Sequence, residues 1–104
     1  MGKDNIMALT SKQRAYLGGQ ASTLDPIFQI GESSLTPEII TALDEALEKR
    51  ELIKISVLKN CIDDPKEIAN VIAERTHSDV VKVIGKKIVL FRQAKKNTKY
   101  NLPN

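Results

Sequence analysis

Residues Gly31-Glu32-Ser33-Ser34 stand between an apolar run, Ile27–Ile30, and a helix start signalled by Thr36-Pro37. A strand that turns through a glycine into a helix leaves backbone N–H groups unpaired, and the helix dipole adds partial positive charge there. Such a junction can hold a phosphate, with the Ser33 and Ser34 hydroxyls as further donors. Glu32 opposes that chemistry, because a carboxylate ~4 Å from a phosphate costs about 1 kcal/mol in bulk water and more near a protein surface. The competing reading is an ordinary βα turn whose serines satisfy their own backbone. The segment is not a nucleotide-binding P-loop, since the second glycine and the terminal Lys-Ser/Thr pair are missing.

Other reactive residues are sparse. Cys61 and His77 are each the only one of their kind. Nucleophilic catalysis needs a nucleophile, a base and an orienting group within reach of one another, and no spacing here supplies that set. A lone cysteine beside an apolar strand reads as a small hydrophobe. A metal site needs about four ligands, and Asp63-Asp64 reads more simply as a helix cap. The chain is therefore expected to be no enzyme and to carry no metal or cofactor. A single cysteine also excludes an internal disulfide and points to a reducing, cytoplasmic setting. No apolar run approaches the ~20 residues of a membrane span.

Charge is the stronger signal. The net value of +3 hides a segregated distribution along the 104 residues. Residues 21–79 hold twelve acidic and six basic side chains, whereas residues 80–104 hold seven basic ones and no acid. The basic set is Lys82, Lys86, Lys87, Arg92, Lys95, Lys96 and Lys99, with Lys12 and Arg14 near the other terminus. Segregation of this kind suits a polyanion partner, the alternative being a solvated basic tail.

Positioning these residues requires an α/β fold. Thr10 and Gln13 form a capping box for a first helix with Tyr16, Leu17, Gln20 and Ala21 inward. A second helix opens at Thr36-Pro37-Glu38 and carries Ile39, Ile40, Leu43, Ala46 and Leu47 at helical spacing. Residues 52–58 alternate as a strand. Asp64-Pro65 opens a third helix with Ile68, Ala69, Val71, Ile72 and the Arg75 methylenes inward. Two strands, 80–84 and 87–92, flank Gly85-Lys86, which suits a type II′ hairpin. The order α-β-α-β-α-β-β implies a four-stranded mixed sheet, mostly parallel and closed by one antiparallel hairpin, in two or three layers. Residues 1–8 are expected to be a flexible leader, 9–93 the domain and 94–104 a basic, irregular tail. With 4% aromatic residues and no Trp, Tyr16, Phe28 and Phe91 are assigned to the core and Tyr100 is left as a base-stacking residue.

Four blocks then resemble one family: Thr10-Ser11-Lys12-Gln13-Arg14-Ala15-Tyr16-Leu17, Pro26–Gly31, Glu45–Lys54 and Val83–Arg92. They look like the YhbY-type stand-alone CRM domain. The resemblance implies a compact RNA-binding fold, similar in shape to the C-terminal domain of a bacterial translation initiation factor, and association with large-subunit ribosomal precursors. It also implies a GxxG loop between the first strand and second helix, analogous to the loop with which KH domains clamp a backbone. Gly31 matches the first glycine, Ser34 stands at the second, Glu32 enters a variable position, and Gly18 stands where relatives tend to carry a basic residue.

The reading favoured by these residues is a monomeric RNA-binding protein of ribosome assembly, with ribosomal RNA as partner and no small-molecule substrate or membrane. Lys12, Arg14, Lys86, Lys87, Arg92, Lys95, Lys96 and Lys99 would contact phosphates, and Gly31, Glu32, Ser33 and Ser34 would form the orienting loop. The alternative is a protein-docking module whose contacts are Asp44, Glu45, Glu48 and Glu51.

Overall fold

A computed structural model describes residues 9–96 and 98–103; the expected leader, residues 1–8, lies outside the described residues. The elements are α1 (Ser11–Ala21), β1 (Phe28–Ile30), α2 (Pro37–Arg50), β2 (Leu52–Val57), α3 (Pro65–Thr76), β3 (Asp79–Ile84) and β4 (Lys87–Phe91).

Helix starts follow local chemistry. Thr10 Oγ1 accepts from the Gln13 N–H at 3.1 Å while the Gln13 side chain accepts from the Thr10 N–H at 3.0 Å. Thr36 Oγ1 accepts from the Ile39 N–H at 3.2 Å, with Pro37 in the first turn. Asp64 holds the cap position of α3 without a side-chain cap bond, so its contribution is charge near the positive helix end. The helix faces differ from expectation at five residues. Val71 is 40% exposed, Arg75 and Gln20 face solvent, and Thr76 and Gly18 turn inward instead.

The sheet is mixed, in the order β1-β2-β4-β3. β1 pairs parallel with β2, and β4 pairs antiparallel with both β2 and β3. Three strands therefore run one way, as the helical crossovers require, but only one of the three pairings is parallel. This corrects the mostly parallel sheet. β4 is the reason: Ile88, Val89, Leu90 and Phe91 are all buried, so both its faces need cover and it takes a central place. β3, with exposed Lys82 and Ile84, takes the edge. Gly85 has φ +56° while Lys86 does not have positive φ, the pattern of a type II′ turn.

Alternation splits the core in two. Ile53, Ile55, Val57, Ile88 and Leu90 face α2 and α3 with Ile30, Leu43, Leu47, Ile68 and Ile72. Leu52, Val81, Val89 and Phe91 face α1 with Leu17 and Ala21. The result is three layers. Cys61 lies in the larger cluster, as a small hydrophobe would.

Candidate nucleic-acid interface

The Gly31–Ser34 loop is a tight turn in which the Ser34 N–H donates to the Gly31 carbonyl at 2.9 Å. Ser34 sits at φ +54°, the left-handed conformation for which glycine is preferred. Gly31 does not need positive φ; a Cβ there would meet Asn60 Oδ1 at 3.3 Å, so it permits close approach of the β2–α3 connection. Glu32 and Ser33 are exposed. Asp63 and Glu67 line the depression beside Ser33 and Ser34, and with Glu32 they surround the loop's donors with negative charge. Ser34→Gly is expected to raise stability by about 0.5–1 kcal/mol by removing the left-handed strain. A thermal midpoint higher by roughly 2–8 °C would register it.

Strand register sorts the basic residues. Ile30 aligns with Val57, Ser56 with Lys87, and the Val57 N–H donates to the Lys86 carbonyl at 2.7 Å. The loop and the Lys86-Lys87 corner thus share one end of the sheet. Lys95, Lys96 and Lys99 follow Phe91, whose register partners Leu52 and Asp79 begin β2 and β3 at the opposite end. The length of β4, at ~3.4 Å per residue, puts roughly 15 Å between the two groups. Lys12 and Arg14 start α1 near the tail, where Gln13 Nε2 donates to the Pro103 carbonyl at 3.0 Å. The expected phosphate-contacting residues thus divide between two ends of the sheet.

Several expected contacts are committed to the fold. Arg14 donates to the Val80 carbonyl at 3.2 Å and the Leu9 carbonyl at 3.1 Å. Its charge also bears on Asp79, whose carboxyl is pushed up by burial and partly held down by Arg14. Arg92 Nη1 donates to Asp44 Oδ1 at 2.6 Å and the Thr76 carbonyl at 2.7 Å. Its Nη2 donates to the Asp44 carbonyl at 2.9 Å and Glu48 Oε1 at 3.2 Å. With its donors so engaged and its side chain 17% exposed, Arg92 is a poor phosphate ligand. Tyr100 packs edge-on against Phe91 at 6.0 Å between centroids and joins the second core, so it is not a free stacking platform. Glu51, expected on the docking face, is 1% exposed and accepts from Ala94 N–H, Thr98 Oγ1 and Lys99 N–H. Asp44 and Glu48 are paired with Arg92, so three of the four acidic docking residues are occupied.

A site that sequence reading missed lies on the α1 side of the sheet. There Lys54, Val89 and Lys82 form one cross-strand row on β2, β4 and β3, with Val89 buried between the two lysines. Ser56, Lys87 and Ile84 form the next. Gly18 and Ala21 of α1 close the groove's side, and among the described residues no acid lines it. Lys82 reaches this face through a bulge between Val80 and Lys82. Val81 enters the α1-side core while Lys82, the next residue, lines the groove on the same face; re-aiming a side chain is what a bulge does. Neighbouring like charges on a sheet repel, so three lysines gathered around one valine are poised for an anion.

The CRS1 / YhbY (CRM) domain description matches residues 9–92. The chain belongs to the CRM domain family. It is 42% identical over 95 residues to the Bacillus subtilis protein named "Probable RNA-binding protein YqeI", an alignment spanning 91% of this chain and 99% of that one. A Haemophilus influenzae protein named "RNA-binding protein" is 33% identical over 98 residues, spanning 94% and 98%. The solution structure of SAV1595 from Staphylococcus aureus, a candidate RNA-binding protein, is 47% identical. It covers 92% of this chain and 100% of that one with a TM-score of 0.79. The CRM match ends at Arg92, so the segment that latches onto Glu51 lies beyond it. Within the CRM domain, Lys54, Lys82 and Lys87 come from three different strands, which is why no short motif marks them.

Proposed function

We propose that this CRM domain is a non-enzymatic RNA-binding protein that acts as a monomer in the cytoplasm on precursors of the large ribosomal subunit, with ribosomal RNA as its ligand. The observation that carries the reading is the acid-free lysine row Lys54–Val89–Lys82, continued by Lys87 and the Lys86 corner. The names of the relatives support the choice of RNA over other polyanions. The mechanism is electrostatic. Each neutralised phosphate releases counterions, giving a slope of log affinity against log salt of about −0.7 to −0.9 per contact. The Gly31–Ser34 loop, ringed by acids, orients one backbone segment and supplies little affinity.

Replacing Lys54, Lys82 and Lys87 together by Ala is expected to weaken binding to large-subunit ribosomal RNA fragments about 100-fold near ~0.1 M salt. The slope should become shallower by roughly two to three. None of the three side chains is buried in the core, so the urea midpoint should move little. A flat salt dependence in the wild type, or an unchanged slope in the variant, would overturn the mechanism. Co-sedimentation with subunit precursors that survives ribonuclease treatment would instead place a protein contact first.

A further inference from the structure

We propose that the cleft between the Gly31–Ser34 loop and α3 is a docking surface for a short segment of a basic protein. The segment lays alternate apolar side chains on Leu35 and Val71 and sets its lysines or arginines against Asp63 and Glu67. This goes beyond RNA binding, and it uses the other side of the sheet. Leu35 and Ile40 pack on the α2–α3 core, whereas the lysine row shares its groove with α1.

Exposed apolar surface is the first observation. Val71 is 40% exposed on α3, although its spacing from Ile68 and Ile72 predicts burial, and Ile62, just ahead of Asp63, is 91% exposed. They are two of the three exposed large apolar side chains among the described residues. A single exposed hydrophobe is ordinary. Here, however, Val71 and the half-buried Leu35 line the whole cleft, and Ile40 joins them at its far end. A continuous apolar strip with a polar rim marks an interaction surface.

Charge selects the occupant. Asp63 and Glu67 line the loop end of the cleft with no cation beside them, and Arg75 lines the other end. The ion pairs among the described residues belong to Arg92, so both carboxylates face solvent unpaired. A nucleic-acid backbone is repelled by the acidic end, and a neutral segment leaves those carboxylates unanswered. A polypeptide with cations followed by apolar residues complements both ends, and Arg75 fixes its direction. Spacing fits an extended segment. Glu67, Val71 and Arg75 recur every four residues, roughly 6 Å apart along the helix. Same-face side chains of an extended chain are ~6.8 Å apart. The strip is short, so the contact belongs to the weak class and adds to the RNA contact by linkage.

The experiment titrates the full chain, followed by amide NMR, with three synthetic peptides. The first has three lysines followed by alternating leucine and serine. The second replaces its leucines by asparagine, and the third replaces its lysines by glutamine. The first is expected to bind about tenfold more tightly than either control and to shift the amides of Leu35, Asp63, Glu67 and Val71. Val71→Gln should lower its affinity to that of the leucine-free peptide and leave affinity for ribosomal RNA fragments unchanged. Glu67→Gln should weaken binding and make its salt dependence shallower. Equal binding of the three peptides, or shifts that map elsewhere, overturns the proposal. Those comparisons use only wild-type protein, so they stand even where a variant fails to fold. Shifts at Leu35 and Val71 on adding an RNA fragment also overturn it, by assigning the cleft to RNA. Loss of RNA binding in the wild type would strike the RNA reading alone and leave the peptide result untouched.

Discussion

Glu51→Gln is expected to destabilise the protein by about 2–4 kcal/mol and to release the segment after Arg92 from the body of the domain. Glu51 ends α2 with φ +68°, a backbone position that an acidic residue occupies only at a cost. Its compensation is a buried carboxylate that gathers the Ala94 N–H at 2.7 Å, the Thr98 hydroxyl at 2.6 Å and the Lys99 N–H. Hydrogen bonds to a charged group are worth about 1.5–3 kcal/mol each, and a buried donor left without its partner adds a further penalty. The amide of Gln keeps one acceptor but turns a donor toward other donors. The latch also sets Tyr100 on Phe91 and Leu102 in the α1-side core, so hydrogen exchange at residues 94–102 should accelerate before the sheet opens. The pH dependence has a defined sign. Burial pushes the Glu51 carboxyl up, but the N–H groups of Ala94 and Lys99, the Thr98 hydroxyl and the Lys99 charge outweigh it and hold the group below its ordinary 4.5. A depressed carboxylate contributes stability that is fully present above its ordinary value and is lost as pH falls through the folded value. The stability gap between wild type and Glu51→Gln, measured by urea unfolding, should therefore be constant near neutrality and narrow below pH 4.5. A gap independent of pH would show that the charge of Glu51 is not what holds the tail.

Local signals made the elements legible in the sequence. Thr10 with Gln13, Thr36 with Pro37, and Gly85 at a strand junction each act within four residues, and the alternation in 52–57 and the apolar run 88–91 placed the strands. Strand order was not legible, because a crossover helix fixes the direction of the next strand and not its neighbour. The insertion of β4 between β2 and β3 follows from the burial demand of both its faces. The groove was hidden for a different reason. Period-two reading puts Val81 and Lys82 on opposite faces, and the bulge that aligns them is set by pairing across the sheet. Glu51 and Arg92 carry no local mark of burial. Their partners lie 43–48 and 16–48 residues away, so the same charges that suggest a solvated helix face or a phosphate contact are absorbed by the fold. Charge segregation along the chain was a sound guide to the presence of basic surfaces and a poor guide to which lysines share one.

Arg92 gives the sharpest separation between a charge that binds a partner and one that holds the protein together. Its guanidinium joins the Asp44 carbonyl in α2 and the Thr76 carbonyl at the end of α3 to the exit of β4, with the Asp44 and Glu48 carboxylates at the rim. The carboxylates are 53% and 69% exposed, so their ion pairs are screened and worth little, ~0–1 kcal/mol. The larger share comes from the two carbonyl acceptors. The last carbonyls of a helix lack intrahelical donors, and Thr76 is itself buried, with its hydroxyl donating to the Ile72 carbonyl at 2.7 Å. Arg92→Ala should therefore cost about 2–3 kcal/mol by urea midpoint, from lost donors and lost methylene packing together. Raising salt should recover little of that difference between wild type and variant. Arg92→Lys should recover only part of the stability, because a single ammonium cannot reproduce the planar fork that meets four acceptors. The decisive readout is RNA binding at a temperature where both proteins remain folded. The salt slope should be the same for wild type and Arg92→Ala, in contrast to the shallower slope of the Lys54, Lys82, Lys87 variant. A slope reduced by about one unit would mean that Arg92 leaves its four acceptors to meet a phosphate. The interface would then extend from the groove across the far end of β4, and the division between structural arginine and binding lysines would fall.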